Sequence, residues 1–378
     1  MKTYFRIYSM LVLLFVGSAS LMAQDDDPFG DFDYHKWAGS MTMAAQVRQN
    51  GVTITDGIVT AFVDDEMRAK KFIGAGTNPD IAFLTIHGDY NNEHQYLQFK
   101  VYTNGHLYTF DPTPAIDFED YWKKNIGTAS DPFIIPIPTP LDDKGDNSSV
   151  LNTWAGQTID VILYDRTLYK DGDWNTLCLP FDVVLDGSPL DGATARPLTE
   201  ASISGTTLNL TFGNAVTTLQ AGTPYIIKWA SGDNIVSPVF SGVTIDATDR
   251  IYDNEASGDQ RVRFIGTYKS TAFDAEDKSI LLMGGGNALY YPTAGAGIGA
   301  QRAYFKIGSD GALLARRLTA FNIDFGDDEA TGIISIENGK WKIENDAAAW
   351  YSLDGRKLSG KPSVKGVYVN NGRKVIIK

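Results

Sequence analysis

The chain of 378 residues carries a formal net charge of -13, and its residues are 43% hydrophobic and 12% aromatic. A chain this acidic repels phosphate backbones, which argues against nucleic acid as a partner. The apolar content is sufficient to bury cores, so extended disorder is excluded, and the single cysteine excludes an internal disulfide.

The first 23 residues have the pattern of a signal peptide. Lys2 and Arg6 precede an apolar stretch at residues 10–16, and small residues follow up to Ala23. The apolar stretch is too short for a spanning helix, and no later segment reaches the roughly 18 to 20 apolar residues that a membrane crossing needs. We therefore expect cleavage near Ala23, export of the mature chain, and no transmembrane span in it.

Residues 24–36 are acidic and rich in turn-forming residues. Because their carboxylates repel one another and the segment offers little apolar surface, it is predicted to be an acidic flexible arm. A calcium site at its aspartates is the alternative, since carboxylate oxygens are the ligands that calcium prefers.

Residues 37–137 alternate between apolar and polar positions. Runs such as ITDGIVTAFV and HQYLQFKVYT are rich in β-branched and aromatic residues, and Asn-Gly pairs separate some of them. This pattern predicts a β-sandwich, with a short helical turn near Asp117 and a closing strand near Phe133. Residues 138–149 are proline-rich and then acidic, which predicts an extended linker.

Residues 150–325 contain a further series of predicted strands. Segments such as TIDVILYDR, TTLNLTF and RAYFKI are spaced by Gly, Asp and Asn turns, which indicates a sandwich or barrel of antiparallel strands. Residues 326–378 begin with the polar step GDDEATG and form short segments with a basic end, which predicts a separate small module. The predicted fold class is therefore all-β: two β-sandwich-like domains followed by a small C-terminal β module.

The C-terminal module carries a resemblance to a known family. It contains WYSLDGRK at residues 350–357, KGVYV at residues 365–369 and GRKVIIK at residues 372–378. These segments resemble a shortened variant of the C-terminal sorting domain of Bacteroidetes proteins secreted through the type IX pathway. The resemblance implies recognition by the export and sorting machinery, and a location that is secreted or on the outer membrane exterior. The sorting residues that it implies are Leu353, Asp354, Gly355, Lys365, Gly366, Tyr368, Gly372 and Lys374.

Two further resemblances cover the middle and the front of the chain. A β domain of Bacteroidetes cell-surface proteins, found beside leucine-rich-repeat and adhesin-like modules, is similar to four segments in this order: WNTLCLPF at 174–181, LQAGTPYI at 219–226, LYYP at 289–292 and RAYF at 302–305. The segment AFVDDEMRA at 61–69 resembles another module of these proteins, with Met67 and Ala69 where that module has cysteine and glycine. None of the resemblances carries a catalytic residue.

Cys178 lies in the apolar run WNTLCLPFDV, where it could be a nucleophile, a metal ligand, half of a disulfide or part of the core packing. A thiolate nucleophile needs a nearby base and an electropositive pocket. No histidine follows His106 in the sequence, so a base would have to come from another domain. We therefore predict a buried, inert thiol.

Two sets of residues are candidates for a metal site. The chain has four histidines: His35, His87, His94 and His106. They are spread over predicted strands and turns rather than paired at helical spacing, which favours turn and surface roles over zinc. The stretch from Asp171 to Asp182 resembles a calcium loop, but Thr176 stands where that loop needs glycine. No metal ion and no cofactor are expected.

A surplus of aromatic residues remains: seven Trp, 18 Tyr and 19 Phe. Flat aromatic rings stack on sugar faces and anchor protein interfaces, so those that lie near turns or linkers are candidate binding residues. The six candidates are Trp37, Tyr90, Tyr96, Tyr121, Trp122 and Trp154.

Together these features predict an exported cell-surface adhesion or ligand-binding protein without catalytic activity, with host or dietary glycans or surface proteins as partners. The alternative is a secreted glycan-active enzyme or its carbohydrate-binding accessory module, which the acidic and aromatic content also allows. Such an enzyme places two carboxylates at a fixed separation in a cleft. A third class is a structural subunit of a surface assembly, in which a strand of one chain completes the sheet of another.

Overall fold

A computed structural model describes residues 27–74, 77–90, 93–274, 277–293, 295–308, 318–326, 332–337, 340–342, 350–352, 357–358, 362, 366–370 and 373–377. Over these residues strand is the dominant state and helix is confined to short segments, which confirms the all-β class. The predicted signal peptide lies outside them. Within the part of the chain that is described, no helix is long and apolar enough to cross a membrane. The chain divides into two compact units between Ile137 and Pro138.

The described residues of the first unit form nine strands and one short helix. The strands are β1 Gly39–Gln49, β2 Val52–Thr53, β3 Gly57–Val63, β4 Glu66–Ile73, β5 Ala82–Gly88, β6 Leu97–Thr103, β7 His106–Phe110, β8 Asn125–Ile126 and β9 Phe133–Ile137. The helix, α1, is Phe118–Tyr121, in the place where the sequence predicts a helical turn.

Two sheets make up this first unit. In one, β1 pairs with β2 and β5 in antiparallel fashion and with β8 and β9 in parallel fashion. The other has the order β4-β3-β6-β7. Alternate residues of β6 are buried, as the period of two predicts, and Phe99 and Val101 are fully inaccessible.

The acidic lead differs from the predicted flexible arm over its described part, residues 27–36. Asp27 forms an ion pair with Lys70, and the two side chains are only 8% and 12% exposed. The ring of Phe29 lies 6.3 Å from that of Phe62 on β3. The prediction was based on carboxylate repulsion, but aromatic rings interleaved among the acidic residues supply the apolar contacts that fix this segment.

The described residues of the second unit form 25 strands. They are β10 Thr139–Asp142, β11 Thr158–Tyr164, β12 Thr167–Leu168, β13 Asn175–Leu177, β14 Val183–Val184, β15 Thr194–Ser204, β16 Thr207–Phe212, β17 Thr218–Leu219, β18 Tyr225–Lys228, β19 Ile235–Val236, β20 Val239–Thr244, β21 Tyr252–Asp253, β22 Val262–Thr267, β23 Thr271–Ala272, β24 Ile280–Gly284, β25 Ala288–Tyr290, β26 Gly297–Ile298, β27 Arg302–Ile307, β28 Ala320–Asp324, β29 Gly332–Glu337, β30 Lys340–Lys342, β31 Trp350–Ser352, β32 Lys357–Leu358, β33 Gly366–Asn370 and β34 Arg373–Ile377. The helix α2 is Ser148–Trp154, and 3-10 turns occur at Gly258–Gln260 and Gly285–Asn287.

Two hydrophobic cores organise the second unit. A seven-stranded sheet, β13-β18-β15-β16-β28-β29-β30, faces a five-stranded sheet, β21-β22-β27-β24-β25, across a core that contains Phe212 and Phe264. A second core includes Phe240 from β20 and residues of β11. In β18, Ile226 belongs to the first core and Ile227 to the second, because successive side chains of a strand point to opposite faces.

Residues 138–149, predicted as a linker, contribute structure to the second unit. Strand β10 pairs in parallel with β11, and its Leu141 is 1% exposed within the second core. The Asn147 side chain donates to the backbone oxygen of Asp142 and accepts from its nitrogen, which closes the turn after β10. The proline and aspartate content predicted a solvated segment, but the short pattern Thr-Pro-Leu-Asp places alternate residues in the core.

The predicted C-terminal module, residues 326–378, falls into two parts. Its first strand, β29, pairs with β28 and so extends the seven-stranded sheet, whereas β31 to β34 form a separate sheet of order β32-β31-β33-β34. Of the sorting residues, Gly366 and Tyr368 lie in β33 and Lys374 lies in β34. The others lie outside the described residues: Leu353, Asp354, Gly355, Lys365 and Gly372.

The packing of β10 gives a stability prediction. Leu141→Ala should lower the free energy of unfolding by about 2 to 5 kcal/mol, because it removes a buried side chain and leaves a cavity. Urea denaturation of the mature chain measures this. Val236→Ala, at a side chain that is 65% exposed, is the control and should change stability by less than about 0.5 kcal/mol. Equal effects of the two substitutions would restore the linker interpretation.

Candidate ligand-binding surface

Five of the six candidate aromatic residues come together at one end of the first unit. The antiparallel pairing of β1 with β5 brings the start of β1 to the end of β5, and the loop before β6 and helix α1 adjoin them. The residues at this end, called the aromatic surface below, are Trp37, Tyr90, Tyr96, Tyr121 and Trp122. Tyr90 and Tyr96 are 54% and 55% exposed, so their rings are available to a ligand.

Trp122 supports part of this surface through contacts with Gly39 and Tyr90. Its indole packs against Gly39, where a Cβ atom would overlap the ring nitrogen, so only glycine allows this approach. The Tyr90 ring stacks on Trp122 with centroids 4.9 Å apart and an interplanar angle of 25°. The Lys123 ammonium lies 3.9 Å from the Trp122 centroid, within the range of a cation–π interaction.

Asp117 holds the two loops of the aromatic surface together. Its carboxylate is buried and accepts hydrogen bonds from the backbone nitrogen of Gln95 at 2.9 Å and of Glu119 at 3.2 Å. It also contacts Nδ1 of His94 at 2.5 Å. As the N-cap of α1, it joins the loop that carries Tyr96 to the helix that precedes Trp122.

The hydrogen bond between His94 and Asp117 shifts the pKa of both groups. The hydrogen bond to Asp117 raises the pKa of His94 above its usual value. Burial alone would raise the pKa of Asp117, but the hydrogen bonds from Gln95 and His94 outweigh it and the pKa is lowered. The His94 ring stacks on Tyr96 with centroids 5.6 Å apart, so the pair supports an exposed aromatic side chain.

Trp37 belongs to a second group of rings at the same end. Its ring lies 5.9 Å from Phe32 and 6.4 Å from His87, whose pKa is lowered by burial. The Arg68 guanidinium and the Lys36 ammonium lie 4.9 and 5.0 Å from the Trp37 centroid. Trp37 is therefore half-buried and anchors the N-terminal segment more than it faces solvent.

The structure removes one residue from the set of candidates and adds two others. Trp154, at the end of α2, packs against a core of the second unit instead of lying exposed. Reasoning from sequence missed His94 and Phe32, which support Tyr96 and Trp37. The available signal was local: both are ring-bearing residues within a few positions of a candidate.

In the stretch between Asp171 and Asp182, aspartate side-chain oxygens accept hydrogen bonds from backbone nitrogens. Oδ1 of Asp171 accepts from the backbone nitrogen of Asp173, whose own Oδ2 accepts from that of Gly286. Oδ1 of Asp182 accepts from the nitrogen of Ala221. These carboxylates order turns, and over the described residues no group of three or more His, Cys, Asp or Glu is placed to hold a metal ion.

Cys178 is buried, as its sequence context predicts. It is 2% exposed, and a Cβ atom on Gly266 would overlap its Sγ, so the thiol fills a space that this glycine leaves. Burial raises the pKa of the thiol to about 12, and the nearest polar partner is the Tyr268 hydroxyl at 3.9 Å. The strand itself ends at Leu177, and the Cys178 nitrogen donates to the backbone oxygen of Gln301, the residue before β27.

A shallow groove of about 310 Å³ lies in the second unit. Its walls come from β15, β16 and the segment around β21, and its lining residues are Glu200, Ala201, Ser202, Asn209, Thr211, Tyr252 and Asn254. Of these side chains one is a carboxylate and one is aromatic. The groove is thus more polar and less aromatic than the surface of the first unit.

The burial of Cys178 predicts how the thiol reacts. In the native mature chain at pH 8 it should resist a thiol reagent such as dithiobis(nitrobenzoate) for hours, because the thiolate is rare and shielded. The same chain in denaturant should react fully, which serves as the internal control. Rapid stoichiometric labelling of the native chain would show that the thiol is accessible and reactive.

The hydrogen bond between His94 and Asp117 predicts that His94 and His87 titrate at different pH values. In a nuclear magnetic resonance titration, His94 should have a higher pKa than His87, and Asp117→Asn should lower the His94 value. Because the folded-state pKa of His94 is raised, its contribution to stability is complete below the unfolded pKa and is lost as the pH rises through the folded pKa. The Asp117 contribution is lost as the pH falls through the lowered carboxyl pKa. An unchanged His94 titration in Asp117→Asn would contradict the pairing.

No family model matches this chain, and a search of curated proteins also found no match. The resemblance to secreted Bacteroidetes surface proteins therefore stays a prediction made from the quoted segments.

Proposed function

We propose that this protein is an exported, cell-surface adhesion protein that binds glycans through the aromatic surface, without catalysing a reaction on them. The single observation that carries the proposal is the pair of exposed tyrosines, Tyr90 and Tyr96, each stacked on a supporting ring and held at one end of the first unit. The apolar face of a sugar ring matches such a flat ring in size and polarity.

The support beneath the two tyrosines favours binding. A ligand loses affinity when it must immobilise flexible side chains, so rings that are already fixed are better binding groups. Tyr90 stacks on Trp122, which in turn packs on Gly39, and Tyr96 stacks on His94, which is hydrogen-bonded to Asp117. The conformational entropy of these side chains is therefore lost on folding, and a glycan loses less affinity on binding to them.

The buried carboxylate of the aromatic surface, Asp117, favours binding over hydrolysis. Asp117 is committed to two backbone donors and to His94, which keeps it ionised and away from proton transfer. A glycan-active enzyme of the usual kind uses two carboxyl groups, one of which gives and takes a proton. In the polar groove of the second unit, the lining residues include one carboxylate, Glu200.

Export and surface placement are a further part of the proposal. They are supported by the signal-peptide pattern at residues 1–23 and by the resemblance of the C-terminal segments to a sorting domain. The strands β31 to β34, which carry three of the implied sorting residues, form a sheet of their own. An adhesion protein at the cell exterior would meet host or dietary glycans there.

A glycan array with the mature chain, beginning after Ala23, tests this function. Binding to at least one class of glycan is expected, and Tyr90→Ala or Tyr96→Ala should weaken it by about 1 to 2 kcal/mol, or roughly fivefold to thirtyfold. Tyr169→Ala is the control, because Tyr169 is 51% exposed but lies in the second unit. An array without any bound glycan, or equal losses for all three variants, would refute the proposal.

A further inference from the structure

We infer that the second unit binds a small inorganic anion of the size and charge of chloride in its interior, between the side chains of Arg166 and Gln301. The site lies within the second unit, so the inference does not depend on the proposed binding of glycans. It starts from two polar side chains that the fold buries: Arg166 is 3% exposed and Gln301 is fully inaccessible.

The Gln301 side chain carries an amide that is buried without a protein partner. Over the described part of the chain, neither the nitrogen nor the oxygen of this amide has a hydrogen-bond partner. A buried amide in this state destabilises a fold, and native proteins usually satisfy such a group with an ordered water molecule or an ion. Gln301 therefore indicates a bound species at this position.

Arg166 supplies a second unpaired donor and a positive charge. Its Nη1 and Nη2 donate to the backbone oxygens of Thr167 at 2.9 Å and Thr176 at 3.0 Å, whereas its Nε has no partner among the described residues. Burial, followed by the neighbouring Arg302 cation, lowers the pKa of Arg166 to about 9. The guanidinium is therefore still charged near neutral pH, and both of its acceptors are neutral.

Backbone contacts bring Arg166 and Gln301 to the same part of the chain, at β13. The Gln301 oxygen accepts from the Cys178 nitrogen at 3.2 Å, and the Ala303 nitrogen donates to Oγ1 of Thr176 at 3.2 Å. Because Arg166 donates to the Thr176 oxygen, the residues that Arg166 and Gln301 contact are two positions apart, about 7 Å along an extended chain. A small ion can bridge side chains at this separation.

The charges around this position favour an anion over a water molecule. Arg302 forms an ion pair with Asp143, and a Cβ atom on Gly299 would overlap both side chains. Arg302 and Asp143 both act on the pKa of Arg166, so two guanidinium groups share one carboxylate. Water would satisfy the amide and leave a positive charge uncompensated, whereas an anion accepts from Nε and the amide nitrogen and balances that charge. The Arg302 side chain is 23% exposed, which gives a small ion a route from solvent.

Thermal unfolding of the mature chain in sodium chloride and in sodium gluconate of equal ionic strength tests the inference. Gluconate is too large for a buried site, and equal ionic strength keeps the screening of surface charges constant. Replacing gluconate with about 0.2 M chloride should raise Tm by about 2 to 4 °C, and the rise should saturate, because a ligand that binds only the native state stabilises it.

A pair of matched variants locates the effect. Gln301→Leu removes the amide at similar volume and should abolish the chloride-dependent rise, whatever it does to Tm itself. Gln220→Leu, at an exposed glutamine of the second unit, is the control and should keep the rise. General effects of the two salts act on both variants alike, so the comparison cancels them.

A bromide soak of crystals of the unmodified mature chain gives a readout that does not require a variant to fold. An anomalous peak is expected within hydrogen-bond distance of Nε of Arg166 and of the Gln301 amide. An ordered water only at that position, equal Tm values in the two salts, or an unchanged chloride effect in Gln301→Leu would each overturn the inference.

Discussion

The arrangement at the end of the first unit depends on one buried carboxylate. Asp117 accepts two backbone hydrogen bonds and one from an imidazole, and it joins chain segments that are 22 residues apart. A buried carboxylate without partners costs several kcal/mol, so this group stays ionised only where all of its donors are in place. The positions of His94, Gln95 and helix α1 are thereby fixed relative to one another.

The aromatic side chains gain rigidity from this constraint and from one glycine. Tyr96 stacks on the imidazole that Asp117 holds, and Trp122 follows the helix that Asp117 caps. Gly39 then allows the indole to lie against the backbone of β1, and Tyr90 stacks on that indole. Backbone hydrogen bonds, a cap and a missing Cβ thus determine the geometry of the exposed rings.

The all-β class was predictable because a period of two is a strong signal in segments such as β6, where every second residue is buried. The arm and the linker were mispredicted for a shared reason. Composition described their charge correctly, but a few apolar residues, Phe29 in one and Leu141 in the other, decide how the segments pack. The aromatic surface was predictable only as a set of aromatic residues near turns. That Asp117 would bring them together depends on tertiary contacts, which no local pattern of the sequence encodes.

Hydrogen exchange of the mature chain, measured by mass spectrometry with and without a bound glycan from the array, tests the account most directly. Added protection is predicted in peptides that cover residues 89–96 and 117–124, because these two segments carry the exposed rings. Protection confined to residues 200–211 and 252–254, which line the groove of the second unit, would contradict it.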